Sequence, residues 1–121
     1  MSGRKNVLTA FKLLSAQSLA ANFSSPVTTL TTATHVGYNV AASGVTDNTG
    51  TFSVEHRLWK NQNEYSEWAT LTLSPTPTLG DADTVMLIDV TVPPGQIRLS
   101  FTAAGGTPDG VIDVWLSGEQ T

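Results

Sequence analysis

Short alternating stretches, separated by turn residues, constrain this chain more than any other feature. Gly50-Thr51-Phe52-Ser53-Val54-Glu55-His56-Arg57-Leu58 is the clearest. Phe52, Val54, His56 and Leu58 fall on one face of an extended strand, and Thr51, Ser53, Glu55 and Arg57 on the other. Successive strand side chains point to opposite sides, so this pattern is that of a half-buried antiparallel strand. Val36, Tyr38 and Val40 share a face in the same way. In Gln96–Ala103, residues Ile97, Leu99, Phe101 and Ala103 point inward. In Val111–Ser117, residues Ile112, Val114 and Leu116 lie on one side, with Val111, Asp113 and Trp115 on the other.

Weaker strands are expected at Phe11–Ala16, Leu19–Phe23, Val27–Thr32 and Trp68–Leu73, and the strongly apolar Thr84–Val92 reads as another. Asp47-Asn48-Thr49-Gly50, Gly80-Asp81-Ala82-Asp83, Pro93-Pro94-Gly95 and Ala104–Gly110 are turns. Ser74-Pro75-Thr76-Pro77-Thr78 is irregular, because proline cannot donate to a central ladder. This spacing predicts about eight strands in an all-β fold, a single antiparallel β-sandwich of jelly-roll-like form. No amphipathic helix lies between the strands, which argues against a parallel α/β sheet. The expected organisation is a flexible N-terminal arm over residues 1–10 and one sandwich domain over 11–121.

Composition narrows the function classes. With 40% hydrophobic residues and a net charge of -4, collapse is not opposed by self-repulsion. Charged residues make up only 13%, and Thr and Ser take their place on the outer faces. A weakly charged, Thr-rich β surface suits stable association. The pI near 4.8 and scattered basic residues argue against nucleic acid, which needs a basic stripe for phosphates. The absence of cysteine removes disulfide and thiolate-metal scaffolds. Arg4 and Lys5 before Val7–Phe11 resemble the start of a secretory signal, but Lys12 interrupts the apolar stretch, so it is read as mature chain. No stretch approaches the ~18 apolar residues of a membrane span.

Candidate sites are few. His56 lies on an apolar face with no nucleophile or acid beside it, and reads as a histidine satisfied by a backbone carbonyl. Asp47, Asp81, Asp83 and Asp109 carry oxygens of the kind calcium takes, but Asp is also the ordinary turn residue, and that reading is preferred. Glu55, Glu64 and Glu67 have the chemistry of a glycosidase pair but nothing to set their separation, so solvated acids are expected. Trp59, Tyr65 and Trp68 bracket one loop. Exposed aromatic rings can stack on sugars; core packing is the preferred reading for Trp68, while Trp59 lies outward with Arg57. Arg4 and Lys5 with Phe11 are candidates for an arm that docks on a partner, against the plainer reading of a frayed terminus. No cofactor or metal is expected.

From Ala16 onward the chain resembles small tailed-phage virion proteins that coat heads or tails. The resemblance rests on Ala16-Gln17-Ser18-Leu19-Ala20, Gly50–Glu55, Trp68-Ala69-Thr70-Leu71, Ile97–Thr102 and Gly110–Gly118. The same order also looks like discoidin-type and other jelly-roll binding modules. The phage resemblance implies a non-enzymatic capsid decoration (cement) or tail-associated protein in the virion, assembled in the host cytoplasm. Its implied partners are the major capsid protein or other virion proteins, and further copies of itself in a trimer or other cyclic homo-oligomer. The alternative is a carbohydrate-binding module or receptor-binding tail component, with Trp59 and Tyr65 on the glycan. No membrane or nucleic-acid partner is expected.

Overall fold

A computed structural model describes residues 6–32, 34–61 and 64–120. Its strands are β1 (Asn6–Ser18), β2 (Phe23–Ser24), β3 (Thr28–Leu30), β4 (Thr34–Ser43), β5 (Thr51–Asn61), β6 (Glu64–Tyr65), β7 (Ala69–Thr70), β8 (Thr84–Val92), β9 (Gly95–Thr102) and β10 (Val111–Gln120). Pairing is nested. β1 pairs with β10, β2 and β3 with β9, β4 with β8, and β5 with β6 and β7, all antiparallel. The chain is thus one long hairpin whose tip joins β5 to β6. Rolling this hairpin adds the β10–β4 and β9–β5 pairs. The result is two sheets, one ordered β1-β10-β4-β8 and the other β2-β9-β5-β6, with β3 beside β9 and β7 beside β5. With β2/β3 and β6/β7 each taken as one interrupted strand, this is a jelly-roll sandwich.

Local chemistry accounts for the interruptions. Pro26 cannot donate, so β2 and β3 are separate pieces. Ser25 bridges the gap: its N–H donates to the Leu99 carbonyl at 2.7 Å, and its hydroxyl accepts the Leu99 N–H at 2.9 Å. The expected strand over Trp68–Leu73 shrinks to β7. Leu71 still donates to Val54, and Phe52 and Leu79 close the Pro-rich segment against Pro77 and Gly50. Gly50 has room for nothing more, since a Cβ there would lie 2.2 Å from the Phe101 ring.

The core lies between the two sheets. Val36, Tyr38, Val40, Ile88, Ile112, Val114 and Leu116 come from one sheet, and Phe52, Val54, Ile97, Leu99 and Phe101 from the other. Phe101 is the hub, with ring centroids 4.8 Å from Phe52 and 5.4 Å from Phe23. His56 is buried, and its Nε2 lies 3.2 Å from the Pro93 carbonyl oxygen, the backbone partner expected for it. Leu58 shares the inward row but is half exposed. It lies opposite Gly95, where the sandwich ends and no second layer covers it.

β1 departs from the sequence expectation. Among the described residues Asn6 already pairs with Gln120, so residues 6–10 belong to β1 rather than to an arm. The long β10 edge supplies backbone partners whatever the side-chain pattern. Three register shifts and a left-handed Ala16 (φ 49°) explain why neither a helical nor a strand period is clean there.

Candidate binding surfaces

The outer face of the β9–β5 sheet carries an ordered stack of aromatic rings and guanidinium groups. Glu55 and Arg98 face each other across β5 and β9, as do Arg57 and Gln96. Arg98 Nε donates to Glu55 Oε1 at 2.9 Å, the Ser100 hydroxyl donates to the same oxygen at 2.5 Å, and Arg57 Nε donates to Gln96 Oε1 at 2.8 Å. The Arg98 hydrogen bond, followed by that of Ser100, holds the Glu55 carboxyl below the usual glutamate range. Both guanidinium groups lie against the Trp68 ring, Arg98 at 4.1 Å and Arg57 at 4.6 Å from its centroid. Arg57 also lies 4.7 Å from the Tyr65 centroid, and Tyr65 meets Trp59 at 5.0 Å with the rings tilted 45°.

Trp68 is therefore not a core residue, which corrects the expectation. In the β5–β7 register Ala69 lies opposite the inward His56, so the preceding Trp68 aligns with the outward Arg57. Trp59 and Tyr65 are brought together as one platform beside the hairpin tip. Trp59 remains 41% exposed and borders a shallow pocket of about 450 Å³ with Leu58, Thr31, Pro93 and Pro94. Phe11 does not join them. It lies on β1 in the other sheet, opposite Leu116, and is 44% exposed. Arg4 and Lys5 lie outside the described residues.

The outer face of the β1-β10-β4-β8 sheet is the second surface. Val85 is 85% exposed and Leu87 60%, with Trp115 and Val111 also exposed. Leu87, Asn39, Trp115 and Lys12 form one row across all four strands, and Val85, Ala41 and Asp113 form the next. Asp113 accepts the Ala16 N–H at 2.8 Å and lies 3.4 Å from Lys12 Nζ. The Ala16 amide, with Lys12 beside it, holds that carboxyl below the usual aspartate range. A groove of about 850 Å³ opens between β8, whose inner and outer rows both line it over Met86–Thr91, and the segment Leu71–Thr78.

On the same face His35 bridges Asp89, at 2.6 Å from Nε2, and Thr91, at 2.9 Å from Nδ1. Hydroxyl, imidazole and carboxylate are the residue types of a hydrolytic triad. Here they lie on the exposed outer face of the sheet, where backbone N–H groups run within the plane of the sheet rather than toward them. The contacts tie β4 to β8 across the strands.

The loop aspartates are occupied by the backbone. Asp109 accepts the N–H groups of Thr46 and Asp47 and the Thr46 hydroxyl. These bonds, the Thr46 hydroxyl first, hold its carboxyl below the usual range. Asp47 accepts from Gly106 and Thr107, and Asp83 accepts from Val45. Asn48, fully buried, donates to the Leu19 and Asp109 carbonyls and accepts from Gly50. This is turn chemistry that ties three loops together. Among the described residues no group of three or more metal-binding side chains is placed to hold an ion, and no helix is long and apolar enough to cross a membrane.

Comparison with protein families, curated proteins and solved structures finds no match for this chain. Two of the features just described escaped sequence reasoning. The Arg57–Trp68–Arg98 stack needs β5, β9 and the β6–β7 connection at once, and no local spacing signals it. The exposed face did leave a signal, because Val111 and Trp115 lie on the side of their strand opposite the core row.

Proposed function

We propose that this protein is a non-enzymatic adhesion module, a virion structural protein that decorates the outer surface of a phage capsid as one of many copies. The observation that carries the reading is the outer face of the β1-β10-β4-β8 sheet, where Val85, Leu87, Val111 and Trp115 stand exposed on the same side. Large apolar side chains gathered on an exposed face mark an interaction surface. The choice of capsid as partner rests on the phage resemblance. Burial of this face at junctions between shell subunits gives each copy a modest contact, and repetition over a symmetric lattice adds them up. Cyclic association between copies follows the same logic. The test is co-sedimentation of purified protein with undecorated shells. Wild type is expected to pellet saturably, and Val85→Asp with Trp115→Ser is expected to stay in the supernatant. Failure of wild type to pellet would end this reading.

A second reading, glycan binding, is favoured by Trp59 itself. Its ring is 41% exposed, propped by Tyr65 and bordered by a shallow pocket, and a flat ring of that kind can stack on a sugar's C–H face. Glycan-array binding abolished by Trp59→Ala would favour this reading over the first.

A further inference from the structure

We propose that the free edge of β8 pairs with the β8 of a second copy of this chain. The pairing is antiparallel about a two-fold axis at Ile88, and joins two four-stranded sheets into one continuous sheet. This deepens the adhesion reading by naming the surface between copies, and it depends on that reading only for the expectation that copies meet.

The four sheet edges differ in how they are protected. Exposed edges invite pairing, and proteins blunt them with bulges, charges, prolines or short strands. The β1 edge carries three register shifts, a left-handed Ala16 and Lys12. The β2/β3 edge is broken into pieces of two and three residues around Pro26. The β6/β7 edge consists of two two-residue pieces. β8 lacks the bulges, prolines and breaks of the other three edges. It pairs with β4 through nine consecutive positions without a shift, and contains no proline, glycine, lysine or arginine. Among the described residues no backbone group bonds across its outer side. Its one charge, Asp89, is already tied to His35.

A second copy fits because the strand complements itself. A two-fold at Ile88 uses all nine residues. On the inner row Met86 meets Val90 of the second copy and Ile88 meets Ile88, apolar against apolar. On the outer row Val85 meets Thr91 and Leu87 meets Asp89, so the two carboxylates are not set against each other. A two-fold at Asp89 would oppose them directly, and one at Leu87 shortens the ladder. Nine residues at ~3.4 Å each give a strip about 30 Å long, which at roughly 10 Å deep covers on the order of 300 Å² per copy. A stable free dimer buries about 800 Å² per partner, so the pair is weak in solution, with a dissociation constant on the order of 100 µM.

The test is sedimentation velocity of the full chain from about 10 µM to 1 mM, a range that brackets that constant. Wild type is expected to pass from monomer to dimer. Leu87 is exposed, so Leu87→Asp and Leu87→Lys both keep the fold, which circular dichroism checks. Leu87→Asp opposes like charges twice and is expected to weaken the dimer about tenfold, whereas Leu87→Lys faces Asp89 twice and is expected to tighten it about fivefold at low salt. Both variants shifting the same way, or neither shifting, overturns the proposal. So does a wild type that stays monomeric, including one whose β8 amides gain exchange protection only when shells are added, which would assign the edge to a shell strand. A monomeric wild type that still coats shells leaves the adhesion reading standing and removes only this pairing.

Discussion

Tyr38→Phe is expected to stabilise the protein. Tyr38 sits at the centre of β4, between Ile88 on β8 and Leu116 on β10, and is fully buried. Its hydroxyl has no hydrogen-bond partner among the described residues. Burial also pushes the phenol well above its ordinary pKa, so ionisation offers it no relief. In the unfolded chain that hydroxyl is hydrated, and an unpaired polar group in the interior costs about 1–3 kcal/mol. Phe keeps the ring and removes the orphan. The void left by one oxygen, roughly 10–15 Å³, costs about 0.3 kcal/mol at ~24 cal/mol per Å³. The net gain is therefore about 0.7–2.7 kcal/mol, or a rise in Tm of roughly 3–11 °C for a domain of this size. Thermal and urea unfolding followed by circular dichroism measure it, with an unchanged m value confirming that the unfolded state is the same. A Tm lowered by a few degrees would show that the hydroxyl is satisfied in solution, and would refute the reasoning.

Two other predictions concern the outer face of the β9–β5 sheet. In a double-mutant cycle, Arg98→Ala and Trp68→Ala are expected to couple by about 0.5–1 kcal/mol in urea unfolding, the scale of an exposed cation–π contact; additive effects would mean the stack is geometric only. Because Glu55 titrates below its ordinary range when folded, the stability it lends is fully present above the unfolded glutamate value, about 4.3, and is lost as pH falls through its folded value. Glu55→Gln is expected to flatten the acid limb of the Tm–pH curve below about pH 5, and an unaltered limb would contradict the assignment.

The strands that alternate cleanly in the sequence are those with one face on the core and regular partners. β4, β5, β9 and β10 were legible for that reason. β1 was not, because its bulges break the period and its pairing is set by the β10 backbone. Thr84–Val92 was legible as a strand but not as an edge. A near-continuous apolar run is what a strand buried on both faces presents, and only the topology shows that Val85 and Leu87 are uncovered. At Asp47, Asp83 and Asp109 the turn chemistry read from the sequence is seen directly, since each carboxylate closes a loop onto backbone N–H groups. Trp68 misled because its facing depends on where the chain turns back after β5, which the polar connection does not encode.

The account stands on attachment through a folded β surface. The most direct measurement is the temperature at which undecorated shells disrupt, with and without saturating protein. The account predicts that the coated shells survive to a higher temperature, and that the gain is lost when Val85 and Trp115 are made polar. Shells that disrupt at the same temperature with or without the protein, with none of it bound, would contradict the account.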